Sequence, residues 1–167
     1  IYERSRDWPH AAAIAQKMHA ADQGDFSTRQ AHYLCEQALT LSGQGDLPGA
    51  LALLQQAVAA APDAARARVE MARLQRLMGR PADVLATLRT LGDRNPAALP
   101  LAAPLMVEAA TATGQVPQVQ ALLQAHYEQA PSLDVLESLV AMELANEATA
   151  DTARQRYVQH LDRERSL

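Results

Sequence analysis

The sequence predicts an all-α fold built from repeated pairs of antiparallel helices. The 167-residue chain is 49% hydrophobic but only 4% aromatic. Its apolar residues are mainly Ala, Leu and Val, which suits helices that pack through small side chains. In addition, glycines and prolines recur at intervals of 34 and 35 residues, which is the length of a two-helix repeat.

Each predicted repeat has a glycine turn between its two helices and a proline after the second. A further proline follows each glycine by two or three residues, where it suits the first helical turn because no backbone donor is lost. The second helices are expected to end just before the last proline of each repeat. The turn glycines are Gly45, Gly79 and Gly114, the starting prolines Pro48, Pro81 and Pro117, and the final prolines Pro62, Pro96 and Pro131.

Apolar residues recur in phase with these glycines. In the second helices, positions five, nine and twelve after the glycine are four and three residues apart, so they share one helix face. These positions hold Ala50, Leu54 and Ala57, then Val84, Leu88 and Leu91, then Val119, Leu123 and His126. In the first helices, a small-residue position is shared by Ala38, Ala72 and Val107.

This pattern is typical of tetratricopeptide (TPR) repeats, which predicts a solenoid of antiparallel helix pairs wound as a right-handed superhelix with a concave inner surface. The usual tryptophan of the first helix is absent, and its position holds Leu34, Arg68, Ala103 and Glu137. Pro104 is expected to bend or delay its helix. The predicted divisions are 1–24 (second helix of a preceding, truncated TPR), 25–64 (TPR 1), 65–98 (TPR 2), 99–133 (TPR 3) and 134–167 (a degenerate TPR 4 or capping helices).

Composition argues against several classes of function. The net charge of −4 gives no support for nucleic-acid binding. A single cysteine excludes an intrachain disulfide and a multi-cysteine zinc site. No stretch reaches about 18 apolar residues, so no membrane-spanning helix is expected. The chain begins at Ile1 without a signal peptide, and we expect an internal, cytoplasmic piece of a longer protein.

The segment QAHYLCEQAL, residues 30–39, is the one place where candidate catalytic residues cluster. His32 and Cys35 are neighbours on one helix and are expected to face the concave surface. A cysteine–histidine pair also needs an orienting group and an oxyanion pocket, which no second motif supplies, and two ligands are too few for zinc. We therefore predict packing and surface contact, with a redox-sensitive thiol as the alternative, and no catalytic or metal-binding residue.

Arginines on the first helix of TPR 2 predict a docking surface. Arg66, Arg73 and Arg76 lie on one stripe of the expected concave face, which suits an acidic peptide or helix. The alternative is a solvated face in which Glu70 pairs with Arg73 or Arg66. The predicted partner-binding residues are Arg66, Arg73, Arg76, His32, Cys35 and Glu108.

Two segments resemble the lipopolysaccharide assembly protein B family. QAHYLCEQA resembles its A-H-[FY]-x-C-E-x-A helix, and RDWPHAAAIAQKM resembles its D-W-x-x-A-I-x-x-A helix one repeat earlier. The likeness runs from about Arg6 to Leu88. The matching residues are Asp7, Trp8, Ala31, His32, Tyr33, Cys35, Glu36 and Ala38.

The resemblance implies a non-enzymatic adaptor at the bacterial inner membrane, which helps present the committed-step deacetylase of lipid A synthesis to a membrane-anchored AAA+ protease. Full-length members resemble each other in an N-terminal membrane helix and a C-terminal rubredoxin-like domain whose two CxxC pairs hold iron or zinc. This sequence contains neither, so no cofactor and no direct membrane contact are expected of it.

Two other functions stay open from the sequence. One is a generic TPR adaptor or co-chaperone for an unrelated peptide, and the other is a TPR array attached to an enzyme such as an N-acetylglucosaminyltransferase. No nucleotide-sugar loop or acid/base pair is present, so the chain itself is not expected to be an enzyme. We expect protein partners, with a homodimer through exposed solenoid ends as a further expectation.

Overall fold

The computed structural model describes residues 2–21, 25–145 and 150–165, and every regular element within these ranges is helical. None of these helices has the combined length and apolarity that crossing a bilayer requires. A 3-10 turn, Pro96–Ala98, precedes the seventh α-helix. The α-helices are α1 Tyr2–Ser5, α2 Trp8–Ala20, α3 Ser27–Gly43, α4 Leu47–Ala60, α5 Ala65–Leu77, α6 Pro81–Arg94, α7 Leu99–Thr113, α8 Val116–Gln129, α9 Leu133–Leu144 and α10 Ala150–Arg165.

The chain divides into two compact units, Ile1–Asn95 and Pro96–Leu167. In the first unit, each helix from α2 to α6 packs on the next, and α3 also contacts α5. In the second unit, α7 and α8 both contact α9, α7 contacts α8, and α10 packs on α9.

The predicted turns, starts and ends of the second helices are confirmed. Gly45, Gly79 and Gly114 all have positive φ, at 89°, 68° and 71°, a conformation that glycine adopts without strain. Helices α4, α6 and α8 each have a proline in their first two positions, and each ends two residues before the predicted final proline. Asp46 fixes the start of α4, because its carboxylate accepts a hydrogen bond from the Gly49 N–H at 2.9 Å.

The phased apolar positions form most of the core. All the second-helix positions named above are buried except His126, which is half-buried. Among the first-helix small positions, Ala38 and Ala72 are buried, whereas Val107 is half-buried and the larger Met106 takes the interior place beside it. Within the second unit α7 packs on both α8 and α9, and the glycine spacing alone does not determine which of two adjacent residues faces them.

The second unit differs from the repeat pattern at two positions. Helix α7 begins at Leu99 and contains Pro104, so this proline does not delay the helix. Glu137, which aligns with the missing tryptophan, is exposed, and the buried residues of this helix include Val135, Leu136 and Leu139. Because α9 packs on α7, α8 and α10, these three apolar side chains are the ones that its neighbours cover.

Arg68 fills the position of the missing tryptophan in α5. It is only 4% exposed, and its guanidinium donates a hydrogen bond to the carbonyl oxygen of Pro62 in the α4–α5 connection. Burial lowers the pKa of Arg68, although arginine stays charged in proteins. The stem of the side chain packs as an apolar group while its head binds the end of the preceding repeat.

Candidate protein-interaction surface

The start of α2 brings Trp8 onto α3. Asp7 caps this helix and accepts from the His10 side chain at 2.9 Å, and this hydrogen bond is the main reason that the pKa of Asp7 is lowered. The Trp8 ring centroid lies 6.2 Å from the rings of both His32, in an edge arrangement, and Tyr33, in a stacked one. The motifs RDWPH and QAHYLCEQA are therefore in direct contact.

Tyr33 ties the N-terminal segment to this cluster. It is buried, and its hydroxyl donates a hydrogen bond to the Glu3 carboxylate of α1. That hydrogen bond, followed by burial, raises the pKa of Tyr33. Tyr33 is thus the buried partner on which Trp8 stacks, whereas the neighbouring His32 is exposed.

Arg66 links α5 to α3. Its guanidinium nitrogens lie 2.6 Å from His32 Nδ1 and 2.5 Å from Glu36 Oε1. Because arginine can only donate hydrogen bonds, Nδ1 of His32 is the acceptor, and the ring proton in this arrangement is on Nε2. The alternative of a solvated face allowed Arg66 to pair with Glu70, but Arg66 instead forms a contact between the first helices of successive repeats.

Cys35 does not lie on the surface, contrary to its prediction as a partner-contacting residue. The side chain is 1% exposed. Burial is the main cause that raises the pKa of its thiol to about 11, so little reactive thiolate forms near neutral pH. Helix α3 packs on α2, α4 and α5. More of its circumference is therefore buried than the single face that the repeat pattern predicts.

The remaining predicted residues fall into two units. Arg73 is exposed on α5 and forms an ion pair with Glu70 at 2.9 Å. Arg76 is exposed on the same helix, and Glu108 is exposed on α7 of the second unit. Both Arg76 and Glu108 also interact with other groups of the chain. The structure therefore brings together His32, Arg66 and their partner Glu36, while Glu108 belongs to a different unit.

An open groove of about 960 Å³ lies beside this cluster in the first unit. It combines apolar surface, including Leu39 at 41% exposure, with amides, a hydroxyl and charged groups. Its lining residues are Arg6, Trp8, Pro9, His32, Glu36, Gln37, Leu39, Thr40, Leu41 and Gln44. Sequence periodicity did not identify Arg6 and Pro9, because they lie before and at the start of the preceding helix.

The groove and its surroundings have the character of a binding surface. A groove of mixed apolar and hydrogen-bonding character can hold a peptide segment. In the part of the chain that the structure describes, no three His, Cys, Asp or Glu side chains group so that they could hold a metal ion. The buried thiol of Cys35, with its raised pKa, is a poor nucleophile.

Residues 41–106 match the family model described as "Tetratricopeptide repeat". No curated protein sequence matches the chain. Among solved structures, one described as "Crystal structure of MamA" is 14% identical with a TM-score of 0.62, over 99% of this chain and 93% of that one. "MamA RS-1 ArsTM double mutant" is 16% identical with a TM-score of 0.60, over 95% of both chains.

A third structure is TTC0263, described as a thermophilic TPR protein in Thermus thermophilus. It is 17% identical with a TM-score of 0.50, and the likeness covers 86% of this chain and 76% of that one. At these identities the likeness concerns the fold. The chain has the all-α solenoid fold of tetratricopeptide-repeat proteins.

Proposed function

We propose that this chain is a non-enzymatic protein-interaction module that binds a partner segment along the 960 Å³ groove beside α3. The observation that carries the proposal is the position of this groove next to the Trp8–His32–Arg66 cluster. TPR solenoids generally act through surfaces that neighbouring repeats build together. The proposal requires no cofactor.

The proposed contacts for an acidic group of the partner are His32, which lines the groove, and Arg66, Arg73 and Arg76 on α5, which packs on α3. Two of these arginines already pair with carboxylates, Arg66 with Glu36 and Arg73 with Glu70. An acidic partner would therefore compete with these internal carboxylates, and we expect a moderate affinity that falls with added salt. Cys35 is not among the proposed contacts, because it is buried.

A finer proposal concerns the biological partner. The contact of Trp8 with His32 and Tyr33 joins the two segments that resemble lipopolysaccharide assembly protein B, which supports a role as an adaptor in the control of lipopolysaccharide synthesis at the cytoplasmic face of the bacterial inner membrane. The partners would then be the lipid A deacetylase and the membrane-anchored AAA+ protease.

Calorimetric titration with the purified deacetylase, and separately with the cytoplasmic part of the protease, tests both levels. We expect wild-type chain to bind, and the Arg66→Glu/Arg73→Glu/Arg76→Glu variant to lose at least about tenfold in affinity. The matched control is Arg154→Glu, since Arg154 forms the same kind of exposed i,i+3 ion pair, with Asp151, in the second unit. Equal binding by the triple variant would remove the arginines from the site, and no binding by either protein would leave an adaptor for an unrelated peptide.

Self-association is a separate proposal, supported by the exposure of Ile14 on α2. If this surface joins two copies, Ile14→Gln should shift the chain towards monomer. Sedimentation equilibrium measures this directly, and a wild-type chain that is monomeric throughout would end the proposal.

A further inference from the structure

A second groove, of about 320 Å³, lies between α7 and α9 in the second unit. Its lining residues are Pro104, Val107, Asp134, Glu137, Ser138 and Ala141. Its size is at the lower end of the range for ligand-binding clefts, about 300–1,000 Å³, and suits a few side chains of a peptide. The groove is separate from the one beside α3.

The lining of this groove has an apolar part and a charged part. Pro104, Val107 and Ala141 supply apolar surface. The hydroxyl of Ser138 donates its hydrogen bond within α9, to the Asp134 carbonyl oxygen at 2.9 Å. The charged groups of the lining are the carboxylates of Asp134 and Glu137, which lie three residues apart on α9.

Asp134 and Glu137 are both exposed, and within the described residues neither side chain forms an ion pair. Residues 99–144 contain five carboxylates and no lysine or arginine. Of the others, Glu143 pairs with Arg156 of α10 at 2.7 Å. The groove thus lies in a segment that has no lysine or arginine of its own to offer Asp134 or Glu137.

The two carboxylates occupy different positions on α9. Asp134 lies in the first turn of α9, where a negative charge favours the helix dipole. The cap itself is supplied by Ser132, whose Oγ accepts from the Val135 N–H at 3.4 Å. Glu137 lies beyond the first turn and is exposed, where a glutamate suits a helix and adds a second carboxylate to the groove.

We propose that the α7–α9 groove binds a partner segment that presents an arginine or lysine beside an apolar side chain. The cation pairs with Asp134 and Glu137, and the apolar neighbour packs on Pro104, Val107 and Ala141. An arginine suits the pair best, because its planar fork donates to two carboxylates at once. This charge preference is opposite to that of the surface beside α3, so the inference does not depend on what binds there.

Nuclear magnetic resonance titration of ¹⁵N-labelled chain tests the inference. The probe is the acetylated, amidated peptide Ala-Leu-Arg-Leu-Ala, and its charge control is Ala-Leu-Glu-Leu-Ala. We expect saturable amide shifts in residues 134–141 with the arginine peptide only. The Asp134→Asn/Glu137→Gln variant should bind at least about tenfold more weakly, since each charge-assisted hydrogen bond matters more than a neutral one.

Three further protein variants test whether peptide binding depends on this groove. Glu128→Gln removes an exposed carboxylate of the same unit outside the groove and should leave the affinity unchanged. Ala141→Leu narrows the groove on a helix that tolerates leucine, and should prevent binding without lowering the melting temperature. The Arg66→Glu/Arg73→Glu/Arg76→Glu variant, which is altered on α5, should bind the arginine peptide like wild type, so failure of one proposal is distinguishable from failure of the other.

The inference is overturned if no saturable shifts appear in residues 134–141, if the glutamate peptide binds equally well, or if the Asp134→Asn/Glu137→Gln variant retains wild-type affinity. Loss of binding in Glu128→Gln would equally overturn it, because the effect would then reflect the overall charge of the unit rather than the groove.

Discussion

Arg66 of α5 and Glu36 of α3 form an ion pair at 2.5 Å that joins the first helices of two successive repeats. Arg66 is 45% exposed and Glu36 26% exposed, so water competes with the pair. We expect a coupling free energy below about 1 kcal/mol from a double-mutant cycle of Arg66→Gln and Glu36→Gln, followed by urea denaturation. A coupling above about 2 kcal/mol would show that the pair is a structural link rather than a surface contact available to a partner.

Arg68 should matter far more for stability than the exposed arginines. Arg68→Ala removes a buried stem and leaves the Pro62 carbonyl without this donor, so we expect a loss of about 2–3 kcal/mol in the free energy of unfolding. Arg68→Met keeps the stem and should lose about half as much. The control is Arg94→Met, whose exposed pair with Asp63 at 3.4 Å should contribute less than about 0.5 kcal/mol. Denaturant titration that ranks Arg94→Met with Arg68→Ala would contradict this assignment.

Cys35 should be protected from thiol reagents in the folded chain. Because its side chain is buried and its pKa is raised to about 11, labelling by a disulfide reagent at neutral pH requires local opening. We expect a rate at least about 100-fold below that of the urea-unfolded chain. Fast labelling under native conditions would mean that α3 opens readily, and would restore the redox-sensitive thiol as an alternative.

The same burial predicts a dependence of stability on alkaline pH. The folded state raises the pKa of Cys35 from 9.0 to about 11, so it favours the protonated thiol. This contribution is complete below about pH 9 and is lost as pH rises towards 11. The stability advantage of wild type over Cys35→Ala should therefore shrink across this range in pH-dependent denaturant titrations, and a constant difference would contradict the prediction.

The turn glycines should respond to substitution differently from a helical glycine. Gly79 has a φ of 68°, and a Cβ there would meet no atom within 4 Å, so Gly79→Ala tests backbone conformation alone. We expect it to lower stability by about 1 kcal/mol. Gly43, the last residue of α3, has equally open space but no positive φ, so Gly43→Ala should be neutral or raise stability by up to about 1 kcal/mol. Thermal denaturation of both variants decides this, and equal effects would contradict it.

The sequence predicted the local features of the fold well. Positive φ at Gly45, Gly79 and Gly114, and the proline starts of α4, α6 and α8, depend on a few neighbouring residues whose backbone preferences are strong. The packing positions of the second helices were also predictable, because those helices bury one narrow apolar face in phase with the turns.

What the sequence did not predict depends on how many neighbours each first helix has. Periodicity indicates the centre of a buried face but not its width, so it placed Cys35 at the surface, although Cys35 is buried on a helix that packs on three neighbours. The same limit applies to Glu137, where the apolar residues of α9 rather than the repeat alignment decide which side is buried. The partner of Arg66 was missed because Glu36 lies on another helix, 30 residues away.

The absence of lysine and arginine from α7, α8 and α9 also determines how this part of the chain can be observed by proteolysis. Trypsin cleaves after these residues only, and none lies between Arg94 and Arg154. Residues 95–154 will therefore survive digestion as one peptide whether the second unit is folded or unfolded. A protease that cleaves after glutamate has sites at Glu108, Glu128, Glu137 and Glu143, and its cleavage pattern will report on the opening of these helices where a tryptic fragment would mislead.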